Sequence, residues 1–310
     1  MTTPFVRPDV QMLLDFMKLN PRPNVADVGI AEYRTQMVAG REMIDEPDTP
    51  LAVVRDLSIA GPAGAIAARL YDAKAERAAG PVMLFFHGGG FVFGDLESHQ
   101  SFCTLAAAEL DMPVISVDYR LAPEHPFPAA PDDCEAAARW VADHIPCTGL
   151  VLCGDSAGGN LAIVTALALR DKPAAQPVIA LHPIYPVTTV GAYGTSARDF
   201  ADGYFLSTDM MRFFDTAYAS DGTDWRAAPL RADLGGLPRT LLVTAGLDPL
   251  RDQGRAFAAK LIEAGVACSY REAVGSIHAY INLRKAVPSA QRDTLDNLHV
   301  LKTMIAEAQR

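Results

Sequence analysis

Residues 150–160 read LVLCGDSAGGN, and this stretch decides the fold. Four residues typical of a buried strand, Leu150–Cys153, are followed by a glycine-flanked serine and then by a helical stretch, Ala157–Arg170. A G-x-S-x-G sequence between a strand and a helix holds the serine hydroxyl at the tip of a sharp turn, where glycines avoid Cβ clashes. The pattern predicts Ser156 as a nucleophile. The alternative is a glycine-rich turn with an incidental serine.

Short β-rich runs alternate with longer Ala-rich stretches from about Leu51 onward. Several runs are continuously apolar, such as Val82–Phe86, which is typical of strands covered by helices on both faces. The candidate strands are 51–60, 65–71, 82–87, 114–118, 150–153, 178–181, 240–244 and 267–271, and the candidate helices are 98–110, 131–144, 157–170 and 251–264. This alternation predicts an α/β fold with a mostly parallel, eight-stranded sheet flanked by helices. The first two strands have no helix between them, so we expect them to pair antiparallel.

Two segments interrupt the alternation. Residues 1–50 contain helical stretches at Val10–Leu19 and Ala26–Ala39, separated by Pro21–Pro23, and residues 186–229 are rich in aromatic side chains. We expect both segments to form a helical cap over the sheet; the alternative is that they are ordinary core helices. The catalytic domain then comprises residues 51–185 and 230–310.

A run of three glycines follows the strand at 82–87, in His87-Gly88-Gly89-Gly90. Glycines let backbone N–H groups come close to a substrate carbonyl oxygen, and such a loop supplies part of an oxyanion hole in acyl transfer. The residue after the nucleophile supplies the remainder. We therefore predict Gly88, Gly89 and Ala157 as the donors, and interpret His87 as a residue that orients the loop.

A serine nucleophile needs a general base, and the base needs an acid to orient it. In this type of fold the acid and then the histidine follow the serine, on loops after later strands. Asp248 comes after the strand at 240–244 and His278 after the strand at 267–271, which predicts them as acid and base. Asp252 is the rival acid, but it falls inside the next helix. The remaining histidines stand in the wrong order or in a helix.

Other residues near these motifs allow either a functional or a structural interpretation. Asp155, beside the nucleophile, could tune the site or brace the turn by hydrogen bonding to backbone; bracing is the simpler interpretation. Glu124 is best interpreted as a structural loop contact. Aromatic side chains are common walls of apolar pockets, and our candidates for a substrate pocket are Tyr185, Tyr204 and Phe205.

Composition excludes several classes of partner. The chain has 37 acidic against 27 basic residues and a formal charge of −10, without a basic cluster, so neither nucleic acid nor an anionic membrane is expected as a partner. The five cysteines form no C-x-x-C pair and mostly lie in apolar settings, which favours reduced thiols and a cytoplasmic location. We find no secretory signal, no membrane-spanning run and no set of metal ligands at suitable spacing.

These motifs together resemble the hormone-sensitive lipase-like, or bacterial family IV, esterases of the α/β-hydrolase superfamily. The matching runs are HGGGFVFGD (87–95), DYRLAPEHPFPAA (118–130), GDSAGGN (154–160) and GLDPLRDQG (246–254), and the GDSAG form is similar to one subgroup of that family. The resemblance implies an α/β-hydrolase domain under a helical cap. It also implies a carboxylesterase that needs no cofactor and prefers short to medium acyl chains, and a small-molecule ester as substrate. Many members are homodimers.

The chain departs from the family after the base, where Ala279 and Tyr280 replace a glycine and a bulky aromatic residue. A methyl group fits there if the backbone φ is not positive. Two rival functions remain open at this point, and a third lacks support. An amidase, deacetylase or lactonase could use the same residues; a small-molecule binding protein could share the fold; a metal-dependent hydrolase lacks the necessary ligands.

Overall fold

The computed structural model describes residues 4–21, 23 and 25–309. The first three residues of the expected cap, Arg22 in the expected break between its helices, Asn24 and Arg310 lie outside the described residues.

One eight-stranded sheet forms the centre of the described structure. Its strands are β1 (Val53–Gly61), β2 (Gly64–Asp72), β3 (Gly80–Phe86), β4 (Val114–Asp118), β5 (Cys147–Asp155), β6 (Val178–Ile184), β7 (Thr240–Leu247) and β8 (Cys268–Ile277). They lie in the order β1-β2-β4-β3-β5-β6-β7-β8. β2 is antiparallel to both β1 and β4, while β4, β3, β5, β6, β7 and β8 run parallel. The predicted mostly parallel sheet with an antiparallel edge is confirmed.

Helices cover both faces of the sheet. The described helices are α1 (Pro8–Leu19), α2 (Val25–Val28), α3 (Ile30–Ala39), α4 (Arg41–Ile44), α5 (Gln100–Leu110), α6 (Ala129–His144), α7 (Ala157–Asp171), α8 (Ser196–Asp199), α9 (Thr208–Tyr218), α10 (Arg251–Glu263) and α11 (Pro288–Ala308). One apolar cluster contains residues of α6, α7 and α10, and a second contains residues of α1, α5 and α11. Burial on both faces explains the continuously apolar β3 and β5. None of the described helices has both the length and the apolar character needed to span a membrane.

Two elements differ from their predicted extent. The single helix expected at Ala26–Ala39 is broken at Gly29, whose φ of 82° is incompatible with a right-handed helix. Strand β8 runs to Ile277, six residues beyond its predicted end at Arg271. The longer strand carries the chain to the end of the sheet where β5 and β7 also finish, and His278 follows it directly.

Candidate active site

Ser156 lies at the tip of the turn between β5 and α7, with φ 55° and ψ −116°. Such a conformation costs an L-residue about 1–3 kcal/mol and persists only where the surroundings hold it. The Ser156 amide donates to Ile184 O at 2.8 Å, and its carbonyl accepts from Val187 N at 3.1 Å. A Cβ on Gly158 would lie 1.8 Å from Phe86 O, so only glycine allows the turn to approach β3. The backbone therefore fixes the serine before any substrate arrives.

A continuous hydrogen-bond chain joins the three predicted residues. His278 Nε2 lies 2.8 Å from Ser156 Oγ, and His278 Nδ1 lies 2.6 Å from Asp248 Oδ2. The other carboxylate oxygen of Asp248 accepts from Leu250 N at 2.8 Å. All three side chains are buried. The carboxylate selects the imidazole tautomer that carries hydrogen on Nδ1, which leaves Nε2 free to accept the serine proton.

The residue after the base has a positive φ, the conformation in which a methyl group was not expected to fit. Ala279 has φ 62° and ψ 18°, in the left-handed region. The triad geometry nevertheless forms, because neighbouring residues anchor the loop on its far side. Tyr280 is fully buried, and its hydroxyl accepts from Asn297 Nδ2 at 3.0 Å.

The glycine loop after β3 differs in part from the predicted oxyanion hole. The Gly88 amide donates to Asp155 Oδ1 at 2.7 Å, so this hydrogen is already engaged and cannot serve as predicted. Within the described residues, the amides of Gly89, Gly90 and Ala157 donate to no protein acceptor. Gly90 is not among the predicted donors, because a run of three glycines does not indicate which of their amides face the active site.

His87 holds this loop, as its position suggested. Its Nδ1 lies 2.8 Å from Gly88 O, and its ring stacks on Tyr119 with 4.3 Å between the ring centroids. The Tyr119 hydroxyl donates to His87 O at 2.7 Å. Burial lowers the pKa of His87 to about 4, with a further contribution from nearby His99. The ring is therefore neutral at physiological pH, and Nδ1–H is the donor to the Gly88 carbonyl.

The three candidate pocket residues differ in how deeply they are buried. Tyr185 is buried, its ring centroid lies 4.7 Å from that of His278, and its hydroxyl points to Asp155 Oδ2 at 3.4 Å. Tyr185 thus packs behind the base. Tyr204 and Phe205 are partly buried and pack against the apolar cluster that contains Tyr185 and residues of α1, α5 and α11.

Two further aromatic residues, which the sequence pattern does not distinguish, pack at the glycine loop. A Cβ added to Gly90 would lie 2.3 Å from the ring of Phe214 in α9, so the ring rests directly on this glycine. Phe214 in turn meets Phe93 at 5.5 Å between ring centroids. The sequence contains many aromatic residues in these segments, and only the packing of α9 against the loop sets these two apart.

The rival residues have structural partners of their own. Asp252 accepts from Ser196 N at 2.9 Å and from the Thr195 hydroxyl at 3.2 Å. Glu124 forms an ion pair with Arg34 at 2.8 Å, consistent with its interpretation as a loop contact. Among the residues that the structure describes, no group of three or more His, Cys, Asp or Glu side chains could hold a metal ion.

A mostly parallel sheet with a strained serine, a histidine and an aspartate at the ends of β5, β8 and β7 is the arrangement of an α/β-type serine hydrolase. A family model described as alpha/beta hydrolase fold matches residues 83–282. The chain belongs to this family.

Several relatives are similar over most of the chain. Esterase LipI of Mycobacterium tuberculosis is 38% identical over 291 residues, which cover 90% of this chain and 90% of LipI. The ethyl acetate hydrolase of Pseudomonas putida is 34% identical over 272 residues, covering 84% of this chain and 83% of the relative. An ester hydrolase from the metagenome of Lake Arreo, solved with a bipyridine phosphonate derivative, superposes with a TM-score of 0.91 at 38% identity and covers 98% of this chain and 100% of its own.

Proposed function

We propose that this chain hydrolyses carboxylic esters with Ser156 as nucleophile, His278 as general base and Asp248 as the orienting acid. The observation that carries the proposal is the buried hydrogen-bond chain from Ser156 Oγ through His278 to Asp248, with distances of 2.8 and 2.6 Å. The enzyme is a carboxylic ester hydrolase by class, since its relatives include an esterase and an ethyl acetate hydrolase.

In the first half of the reaction, His278 Nε2 takes the hydroxyl proton as Ser156 Oγ forms a bond to the ester carbonyl carbon. The carbonyl π electrons move to oxygen, and the resulting oxyanion accepts from the amides of Gly89, Gly90 and Ala157. These amides need no rearrangement, because within the described residues they have no protein acceptor to release. When the carbonyl re-forms, the bond to the alkoxide oxygen breaks and His278 returns the proton to the leaving alcohol.

In the second half, water replaces the alcohol. His278 removes a proton from water as its oxygen attacks the acyl carbon, and the same amides hold the second oxyanion. Collapse releases the carboxylic acid, and the proton passes back to Ser156 Oγ. No step requires a cofactor or a metal ion. Protonation of His278 at acidic pH removes the base in both halves, so activity falls there.

The two predicted cap segments support a division into cap (residues 1–50 and 186–229) and catalytic domain (51–185 and 230–310). Both segments meet at Phe93, whose ring centroid lies 4.9 Å from that of Tyr33 in α3 and 6.0 Å from that of Phe213 in α9. Arg34 of α3 also donates to Val92 O at 2.8 Å. The segments therefore close over the glycine loop from two sides, which favours a restricted acyl pocket and short to medium acyl chains.

Two finer properties complete the proposal. A cytoplasmic location is supported by five cysteines that are all free thiols, four of them buried. A homodimer is supported by β8, an edge strand that pairs with β7 and exposes Tyr270 and Val274. Light scattering of the purified chain tests the second point, and a monomeric mass would exclude the dimer.

Hydrolysis of p-nitrophenyl esters from acetate to decanoate, by wild type and Ser156→Ala, tests the function. We expect wild type to favour the shorter esters and the variant to retain its fold but lose activity by a factor on the order of 10⁶. Equal activity of the two proteins would contradict the role of Ser156. A matched p-nitroanilide separates the esterase from an amidase: comparable kcat/KM on both would favour the broader acyl-transfer activity.

A further inference from the structure

A second charged cluster lies beside the triad and has no part in the mechanism above. Asp155, which precedes the nucleophile, is buried, and its Oδ1 accepts from Gly88 N at 2.7 Å and lies 3.2 Å from His99 Nε2. Burial opposes ionisation of Asp155, but His99 and the Gly88 amide more than offset it, so the pKa of this carboxyl lies below its ordinary value. A buried carboxylate is costly unless a cation and hydrogen-bond donors compensate it.

Both ring nitrogens of His99 face groups that can accept a hydrogen bond. Nδ1 lies 2.9 Å from Ser98 Oγ, whose own hydrogen is directed to Asp95 O at 2.9 Å. Nε2 lies 3.2 Å from Asp155 Oδ1 and 2.8 Å from the amide nitrogen of Asn282, whose amide oxygen is buried without a hydrogen-bond partner among the described residues. Exchange of O and N in this amide gives the unpaired Asn282 oxygen the N–H of His99 Nε2 as its partner. These partners are matched when both nitrogens carry hydrogen, which is the imidazolium form.

The other groups around His99 leave Asp155 as its counter-ion. On β3, the apolar ring of Phe85 lies 5.7 Å away between ring centroids. In the glycine loop, the His87 ring lies 5.8 Å away and is neutral at physiological pH because its pKa is about 4. Asp155 also interacts electrostatically with His278, and Tyr185 contacts both, with its ring centroid 4.7 Å from that of His278 and its hydroxyl 3.4 Å from Asp155 Oδ2. A protonated His99 therefore balances a carboxylate that also interacts with the general base.

We propose that His99 is a positioning residue: as an imidazolium it holds the Asp155 carboxylate, which fixes the Gly88 amide and thereby aims the next two amides of the loop at the oxyanion. The Gly88 anchor matters because it precedes the turn formed by Gly89 and Gly90, whose φ values are 116° and 62°. A shift of this anchor displaces the two amides that follow it. The inference rests on the proposed function, since the loop has an oxyanion to bind only in acyl transfer.

The charge balance has a consequence that simple packing lacks. With His99 replaced by a neutral residue, the negative charge of Asp155 is uncompensated and favours the protonated form of His278. The acidic limb of the pH–rate profile must then move to higher pH. With Asp155 replaced by asparagine, Oδ1 still accepts from Gly88, but the negative charge is gone, so the acidic limb moves to lower pH.

The first experiment compares His99→Gln with wild type on p-nitrophenyl butyrate across the pH range. The matched control is His125→Gln, the same substitution at an exposed histidine. For His99→Gln we expect kcat to fall about 10- to 100-fold with KM within about twofold. We also expect the acidic limb to rise by about one pH unit. The control should match wild type. An unmoved acidic limb, or an unchanged kcat, overturns the proposal.

The second experiment adds Asp155→Asn and the double variant. In the double variant neither residue 99 nor residue 155 is charged, so the upward shift of the acidic limb caused by His99→Gln should disappear. A shift that persists would show that it does not arise from the charge of Asp155. If His99→Gln fails to fold, Asp155→Asn alone still tests the proposal, because its acidic limb should move to lower pH.

NMR of ¹⁵N-histidine-labelled wild type supplies a readout that needs no activity. At about pH 7 both nitrogens of the His99 signal should have the shifts of a protonated ring. A neutral tautomer overturns this proposal even in an active enzyme, whereas failure of wild type on every ester would instead refute the proposed function.

Discussion

Replacement of Asp248 by asparagine tests the catalytic chain at its most constrained point. Asp248 is fully buried; Oδ1 accepts from Leu250 N at 2.8 Å and Oδ2 faces His278 Nδ1 at 2.6 Å. In Asp248→Asn the backbone donor at Leu250 keeps the amide oxygen, so the new NH₂ group is directed at His278. Imidazole must then accept at Nδ1 and carry its hydrogen on Nε2. The nitrogen that faces Ser156 Oγ becomes a donor and cannot act as a base.

The expected magnitude follows from the loss of the correct tautomer with the geometry intact. In serine hydrolases of this kind, such a change lowers kcat by about 10⁴-fold, or about 5.5 kcal/mol in the activation free energy. Asp248 lies behind the imidazole, away from the ester, so KM should stay within about threefold. The thermal midpoint should change little, because the shape and the Leu250 hydrogen bond are retained.

Steady-state hydrolysis of p-nitrophenyl butyrate measures this effect, with Ser156→Ala as the background. Asp252→Asn is the matched control, because it makes the same substitution at the rival acid, which accepts from Ser196 N and has no hydrogen bond to His278 among the described residues. Its kcat should remain within about threefold of wild type. If Asp248→Asn retained kcat within about tenfold of wild type, or if Asp252→Asn lost as much as Asp248→Asn, the assignment of the acid would be refuted.

Two predictions concern stability, both measured by urea unfolding. Asp45 and Arg284 form a fully buried ion pair at 2.8 Å, so Asp45→Ala should lower the free energy of unfolding by about 3–5 kcal/mol. Asp199→Ala, which removes one partner of a surface ion pair, should lower it by less than about 1 kcal/mol. Similar losses in the two variants would contradict the role of burial. Burial, and then the charge of Asp95, raise the pKa of Asp118 to about 6 from 3.8, so its protonated form stabilises the fold at low pH and that contribution is lost as pH rises through about 6. Asp118→Asn should therefore be more stable than wild type at about pH 8, with the difference shrinking toward about pH 4; a constant difference would refute the shift.

The sheet and the identities of Ser156, His278 and Asp248 could be predicted because each rests on a local pattern. Continuous apolar runs show where buried strands lie, and chain order fixes which loops follow them. The long-range distances in the triad then result from parallel strands that end at one edge of the sheet. The boundaries were less accurate where tertiary contacts decide them, as at Ile277, since pairing with β7 extends β8 beyond its local pattern.

The oxyanion loop shows where local pattern is insufficient. HGGG predicts that amides converge on the substrate, but which amide does so depends on the φ values and on what already occupies each N–H. Gly88 lost its predicted role because a residue 67 positions later, Asp155, accepts its hydrogen. The position of Asp155 beside the nucleophile predicts a brace but does not identify the backbone group that it holds. Local pattern is equally insufficient at Gly90, because only the tertiary structure shows that a ring from α9 covers the loop there.

Ala279 shows how an apparent defect in a motif can leave the site intact. At φ 62° an alanine is less favourable than a right-handed conformation by about 1–2 kcal/mol, a strain that glycine would avoid. The loop cannot relax, since His278 is held by Asp248 on one side and the buried Tyr280 is held by Asn297 on the other. Two anchors that each contribute energy of the same order outweigh the strain. The glycine usual in the family therefore lowers the cost of the turn, whereas packing and the triad hydrogen bonds determine its shape.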